Sequence, residues 1–458
     1  MNRSGWLGLA GLLSATFAGS YYSNIALVPL GSILSHFGAG VGAGTLVLSG
    51  FAVTMAAATP LASWLGERVG WTRSLVVAVI AMGAGSAGAA LSPDLAVLVL
   101  FRVLQGLVAA LVLPAVMMVI ATTLSGRDRL LAVGMWSSAN SLARVVAVPA
   151  GGVLARFAGW SSVFWSAVPV CGLAVAWLVL FAPRVGGNGV GGRGVGGRGV
   201  PADRKGAAMV TIGSLLFLGG LAALPDGGAG LPLGASMAVL GAAVLWRSWR
   251  WAAKASNPFI RQELIRSGGF LRSSIGSFVQ MLCIMVDVAG VSLYLVHGEG
   301  MNVAAAGTVV LALPLMMAVA SPVAGWMAGL VGGRRVFWIG LAILAWGEAA
   351  LWLATGTRSP AIPGLVAGLG VAGAGAAIVQ TATAGGATRE EGGSDSTAVG
   401  VFNLIRFAGS AVGAAWLAVA FSLGGTGSIA FLSCAAAVIA AFGVTRFLIH
   451  TPDGAKPS

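Results

Sequence analysis

LAVLVLFRVLQGLVAALVLPAVMMVIAT, residues Leu95 to Thr122, contains a single charged side chain, Arg102. At 1.5 Å of rise per residue, about 20 helical residues cross a hydrocarbon core about 30 Å thick, so the stretch reads as a membrane-spanning helix. A barrel strand would alternate polar and apolar residues over about ten positions, whereas this run is continuously apolar. Working outward in both directions, comparable runs recur at 6–30, 43–64, 73–91, 95–122, 130–155, 161–182, 207–224, 231–249, 272–296, 303–328, 336–356, 361–385, 396–422 and 427–448, which predicts an all-α polytopic membrane protein of fourteen spans. The whole chain of 458 residues shares the bias. It is 57% hydrophobic and 9% charged, with a mean hydropathy of +0.93, where an average soluble domain is roughly 45–50% apolar and 25% charged.

The first run is too long for a signal-peptide core and lacks a cleavage site, so it is expected to stay as the first span. Cys171, Cys283 and Cys434 all fall inside runs with no metal-like spacing. They read as small apolar fillers, and no metal site or disulfide is expected. No cofactor is expected either.

Charge sets the orientation. With both termini in the cytoplasm, 21 of the 26 Lys and Arg residues fall on that side and two, Arg156 and Arg358, on the other; Arg102, Arg144 and Arg406 lie within spans. This positive-inside asymmetry predicts a multi-pass protein of a bacterial inner membrane and supports an even number of spans. The net charge of +13 is accounted for by this topology and by anionic lipid at the inner leaflet, so no nucleic-acid partner is expected.

Residues 186–200 read GGNGV, GGRGV, GGRGV, a unit with no apolar face to bury and hence a flexible linker. A second basic stretch runs from Arg247 to Arg272 and includes an expected short amphipathic helix, Pro258 to Ile265. The plan is therefore a six-helix bundle over 1–183, a Gly/Arg-rich cytoplasmic linker over 184–206, two inserted helices with a basic segment over 207–268, and a second six-helix bundle over 269–458. Equal halves suggest an internal repeat. SWLGERVGWTR, Ser63 to Arg73, after the second span, matches GWMAGLVGGRR, Gly325 to Arg335, after the tenth, in a pattern that ends on Gly, two residues and Arg.

These features resemble the major facilitator superfamily, specifically its fourteen-helix drug:proton antiporter branch, over nearly the full length. Ser63 to Thr72 resembles the loop signature Gly-x-Leu-Ala-Asp-Arg-x-Gly-Arg-Lys, which implies a cytoplasmic gate of Glu67, Arg68, Gly70 and Arg73; the second copy has Gly329 where the acid would stand. Arg102, Gln105 and Gly106 resemble the Arg-x-x-Gln-Gly motif of the antiporters. VPAGG, Val148 to Gly152, resembles the antiporter motif of the fifth helix through Pro149, Gly151 and Gly152, with Pro149 shifted by one position. Asn403 to Ala415 and Ser23 to Leu30 are similar to two further runs of that branch. The acid that the family carries in its first helix falls at Gly19 and is absent. The resemblance implies two bundles related by a pseudo-two-fold axis, substrate/proton exchange by alternating access, and a central cavity faced by spans 1, 4, 5, 9, 12 and 13.

Ionisable residues inside a bilayer cost about 2.5–3.5 kcal/mol or more each and default to functional roles. Five stand there: Arg102, Arg144, Asp287, Glu348 and Arg406. Ser273, Gln280, Asp287 and Tyr294 recur every seven residues, one polar stripe of span 9, and are expected to face the cavity. Burial disfavours a charged carboxyl and a neighbouring cation favours it, so Asp287 is the leading proton carrier, with Arg102 and Glu348 as further proton-coupling residues. Trp136, Asn140 and Arg144 in span 5, Gln105 in span 4, and Asn403 and Arg406 in span 13 complete the expected cavity lining. Three buried arginines against two acids favour an anionic, zwitterionic or polyoxygenated substrate.

The chain lacks the Gly-x-x-x-x-Gly-Lys-Ser/Thr loop of an ATP-driven pump. Its three histidines, His36, His297 and His450, stand apart, so an enzyme is not expected. The expected function is proton-coupled export of a small molecule such as a drug, antibiotic or natural product, by a monomer. The alternative is transport of a lipid or lipid-linked sugar.

Overall fold

A computed structural model of the chain describes residues 3–26, 30–39, 41–181, 203–224, 230–256, 258–356, 362–387, 396–422 and 428–447. The linker repeat and the short connection between the seventh and eighth runs lie outside these residues. The first half contains α1 (Arg3–Asn24), a short α2 (Leu30–Phe37), α3 (Val41–Val69), α4 (Trp71–Ala90), α5 (Leu95–Ala109), α6 (Val112–Thr123), α7 (Gly126–Ala158) and α8 (Trp160–Phe181). Then come α9 (Arg204–Ala223), α10 (Gly230–Ala252) and a five-residue α11 (Gln262–Arg266). The second half contains α12 (Gly268–Leu293), α13 (Val303–Val310), α14 (Ala312–Val331), α15 (Gly333–Gly356), α16 (Ile362–Ala387), α17 (Ser396–Ser422) and α18 (Ser428–Phe447). Among the described residues there is no strand, and thirteen helical segments are long and apolar enough to cross a membrane. The 22-residue α1 is not one of the thirteen, although it packs in the first bundle against α7 and α8.

Two predicted spans are briefly interrupted, one into α5 and α6 and the other into α13 and α14. Proline supplies the reason. Pro114 has no N–H for the carbonyl of Ala110, the residue that caps α5, and Pro314 has none for Val310, the last residue of α13. The amphipathic helix expected over Pro258 to Ile265 is shorter and later, confined to α11.

The halves repeat one another in packing. The pairs α1·α7, α1·α8, α3·α5, α4·α5 and α4·α8 in the first have counterparts α12·α17, α12·α18, α14·α16, α15·α16 and α15·α18 in the second. The matched turns agree in backbone as well: Gly70 (φ 100, ψ 132) leads into α4 and Gly332 (φ 89, ψ 142) into α15. Both conformations lie where a side chain is strained, which explains why each copy of the turn holds glycine at that place.

The halves meet at two symmetry-related seams, α3 on α17 and α7 on α14. In the second, Ser137 and Ser321 hydroxyls lie 2.9 Å apart and Ser138 donates to the Ala318 carbonyl at 2.6 Å. Gly134 and Gly325 face each other there; a Cβ on Gly134 would stand 2.6 Å from the Ser321 carbonyl oxygen. Both seams lie at the helix ends that adjoin Arg68, Arg127, Arg334 and Arg335, hereafter the basic side. α9 and α10 form a pair, and α9 lies on both α3 and α17, across one seam.

Candidate functional site

Between the halves, at mid-height, a cavity of about 60 Å³ is lined by Thr16, Ser20, Ser23 and Asn24 of α1, Asn140 and Arg144 of α7, and Arg406 of α17, with Met55, Met281 and Phe407 among its apolar walls. Ser23 and Asn24 sit at the end of α1 far from the basic side, so the cavity extends towards the opposite face while both seams close beneath it. Its volume corresponds to about two waters, at about 30 Å³ each in the liquid, and is far below the roughly 300–1,000 Å³ of a site filled by a drug-sized ligand.

The wall is polar by construction. Ser20 donates to Asn140 Oδ1 at 2.6 Å, tying α1 to α7. Arg144 comes from the same face of α7 one turn later. Arg406 is only 1% exposed; its Nη2 donates to Gln380 Oε1 at 3.1 Å, and its guanidinium carbon lies 5.9 Å from the Trp136 ring. Neither Arg144 Nε nor Arg406 Nε has a hydrogen-bond partner, and the two cations act on each other electrostatically. No acidic residue lines the cavity among the described residues.

Spacing placed Asp287 with these residues; the structure puts it elsewhere. The seven-residue stripe of α12 exists, but it faces the interior of the second half. Ser273 lies against Gly386 of α16, Gln280 reaches Gln380 at 3.4 Å, and Asp287 meets Glu348 of α15. Tyr294 is buried in the core of that half. It is Met281, one residue round the helix from Gln280, that reaches the cavity. Asp287 and Glu348 are both 0% exposed, and they interact with each other and, through Glu348, with the Cys283 thiol. Cys283 and Cys434, read as fillers, complete the cluster: their sulfurs and a Glu348 oxygen lie within 4.8 Å of one another. Linear spacing hid this grouping because its members come from α12, α15 and α18.

Arg102 is likewise away from the cavity, 1% exposed inside the first half. Its Nε donates to the Val47 carbonyl at 3.0 Å, its Nη1 to Gln105 Oε1 at 3.0 Å, and Gln105 Nε2 donates to the Gly85 carbonyl at 2.8 Å. One motif thus clamps α3, α4 and α5, and Gly106 lets α5 touch the α3 backbone at Phe51. The guanidinium also stands 4.4 Å from the Phe51 ring. Asn403 is buried at the seam, donating to Val399 at 2.9 Å and lying 3.8 Å from the Met117 sulfur. Pro149, Gly151 and Gly152 sit in α7 without breaking it and off the cavity wall. At the basic side Arg68 stacks at 4.0 Å over Trp64, Glu67 has interaction partners, and Arg73 is exposed. Gln380, which bonds Arg406 and Gln280, escaped the sequence reading; a lone amide amid the apolar run 361–385 was its signal.

This architecture has known counterparts. The human organic anion transporter MFSD10 (TETRAN) superposes with a TM-score of 0.70 at 14% identity, over 97% of this chain and 100% of that one. The tetracenomycin C resistance and export protein of Streptomyces glaucescens is 27% identical over 71% of this chain and 60% of its own length. A triacylglyceride transporter of Mycobacteroides abscessus is 27% identical over 66% of this chain and 58% of its own. The multidrug export protein EmrB of Escherichia coli is 31% identical over 36% of the chain and 32% of its own. The match thus spans about three-fifths of the length of the first two bacterial relatives. A model of the family described as the Major Facilitator Superfamily matches residues 10–414. Two halves built on one packing plan, meeting at paired seams beneath a cavity, are what that match predicts, and the chain belongs to the major facilitator superfamily.

Proposed function

We propose that this transporter exports a small organic molecule in exchange for protons, by alternating access, from a bacterial inner membrane with both termini in the cytoplasm. The observation that carries the reading is the mid-height cavity at the junction of the halves, shut at the basic side by α3/α17 and α7/α14 and directed towards the other face. With the basic side cytoplasmic, this is a conformer that has already turned its site outward. Rocking of 1–183 against 269–458 about the cavity would part the seams and turn the site inward, with 184–206 and 207–268 as connecting and flanking segments. A monomer contains all of these parts.

Asp287 and Glu348 are the proton carriers in this reading. Two facing carboxyls are tolerated in a low-dielectric interior when protons neutralise them. A proton gained or lost there changes how α12, α15 and α18 pack, and α12 also bears Met281 on the cavity wall. The reaction is an exchange: protons enter with their gradient as substrate leaves. The gate residues Glu67, Arg68, Gly70 and Arg73 stand where the seam must open, and Arg102 keeps the first half rigid as it moves.

The test is dye transport in proteoliposomes under an imposed pH gradient, with native, Asp287→Asn and Glu348→Gln protein and a panel of anionic, zwitterionic and cationic dyes. The expected result is gradient-driven transport that falls at least about ten-fold in each variant while dye binding in detergent persists. Unchanged gradient-driven rates would remove the pair from the mechanism. Lipid transport is the second reading, supported by the triacylglyceride transporter relatives; the two cavity arginines suit a neutral glyceride poorly, and a lipid-flipping assay on the same vesicles separates the readings.

A further inference from the structure

We infer that the cavity is a binding site for an organic anion, a molecule with at least one acidic group such as a carboxylate, which sits between Arg144 and Arg406, and with oxygen substituents that meet Ser20, Ser23, Asn24 and Asn140. This inference names the substrate class of the proposed exporter and rests on that reading for its transport arm only.

Four observations converge on it. Arg406 is 1% exposed yet only partly satisfied: its Nη2 donates to Gln380, and its Nε has no partner among the described residues. Arg144, from the opposite half, lines the same space with a bare Nε of its own. The two cations repel each other, and among the described residues no carboxylate lines the cavity to offset them. The two membrane acids of the second half, Asp287 and Glu348, meet each other and do not reach the cavity wall.

The physical consequence follows from desolvation. Two like charges facing one enclosed space leave a site that is electrostatically incomplete, and an anion between them relieves repulsion and supplies acceptors to guanidinium donors in fork geometry. A cation entering the same space would meet repulsion from both sides. Because the arginines belong to different halves, the anion also bridges α7 and α17. The surrounding hydroxyls and amides provide donors and acceptors for oxygen substituents, and Met55, Met281 and Phe407 provide the apolar contact that a ring system needs. The small volume in this conformer means that the anion is admitted as the halves separate.

The experiment uses the full chain in detergent and in proteoliposomes, with carboxyfluorescein as the anionic probe and rhodamine 6G as a cationic dye on the same kind of ring system. Saturable carboxyfluorescein binding is expected, at least ten-fold tighter than rhodamine 6G binding and weakened ten-fold or more in Arg144→Gln and in Arg406→Gln. Arg406→Lys, which keeps the charge should the glutamine variant fail to fold, is expected to retain part of the anion preference. Absence of saturable carboxyfluorescein binding to native protein, or a preference for rhodamine 6G that the glutamine variants leave unchanged, overturns the inference. Anion binding without pH-driven movement in vesicles would sink the export reading and leave this one standing, whereas pH-driven movement of rhodamine 6G alone would do the reverse.

Discussion

Arg102, Arg144 and Arg406 are the three arginines that the sequence places inside the membrane, and their surroundings divide them. Arg102 has carbonyl and amide oxygens on two sides and an aromatic ring beside it, all from its own half; Arg144 and Arg406 face a shared space. The division makes a prediction. A lysine at position 102 keeps the charge but cannot span both the Val47 carbonyl and Gln105, so Arg102→Lys should cost about 1–3 kcal/mol of stability. The pH dependence of transport should not move. Thermal unfolding in detergent and the pH profile in vesicles measure the two parts, and a displaced pH profile would return Arg102 to the proton path. At this scale the sequence showed which residues are costly in lipid, because charge and position along a span are enough for that. It could not show what each one meets. Heptad spacing puts Gln280 and Asp287 on one face of α12, but facing α16 and α15 or facing the cavity are equally consistent with that spacing, and the choice is made by helix rotation within the bundle.

Helices show the same division between what a run of residues specifies and what its neighbours decide. Length and apolarity located the spans, and the glycine turns at Gly70 and Gly332 gave away the repeat. The interruptions near Ala110 and Val310 were readable in principle from Pro114 and Pro314, because a missing N–H acts four residues upstream; other prolines, Pro60, Pro149, Pro169 and Pro322, remain inside continuous helices. Proline position alone therefore does not separate an interruption from a tolerated residue. The seam of α7 on α14 yields a test at this scale. Gly134→Ala places a methyl 2.6 Å from the Ser321 carbonyl, so the two helices must part by roughly an ångström. Labelling of a cysteine at Ser138 by a membrane-impermeant maleimide applied from the basic side should then rise several-fold over the Gly134 background. Equal labelling would mean that the contact is not what keeps this side shut.

For the whole molecule, the decisive question is whether the halves must separate. Ser137 and Ser321 hydroxyls are 2.9 Å apart across the seam. A Ser137→Cys, Ser321→Cys pair should therefore cross-link under mild oxidant and reduce transport to background, with recovery on reduction. Full transport by the cross-linked protein would show that the seam stays closed throughout the cycle. One difference between the flanks bears on how such a cycle runs. α9 lies over α3 and α17 together, while neither α9 nor α10 packs comparably on α7 or α14. Parting the first flank must peel away or drag a third helix, and parting the second need not. The entrance on the basic side should accordingly swing like a door hung on one post, with its free edge along α7 and α14 giving amphiphilic cargo a sideways route from the lipid leaflet.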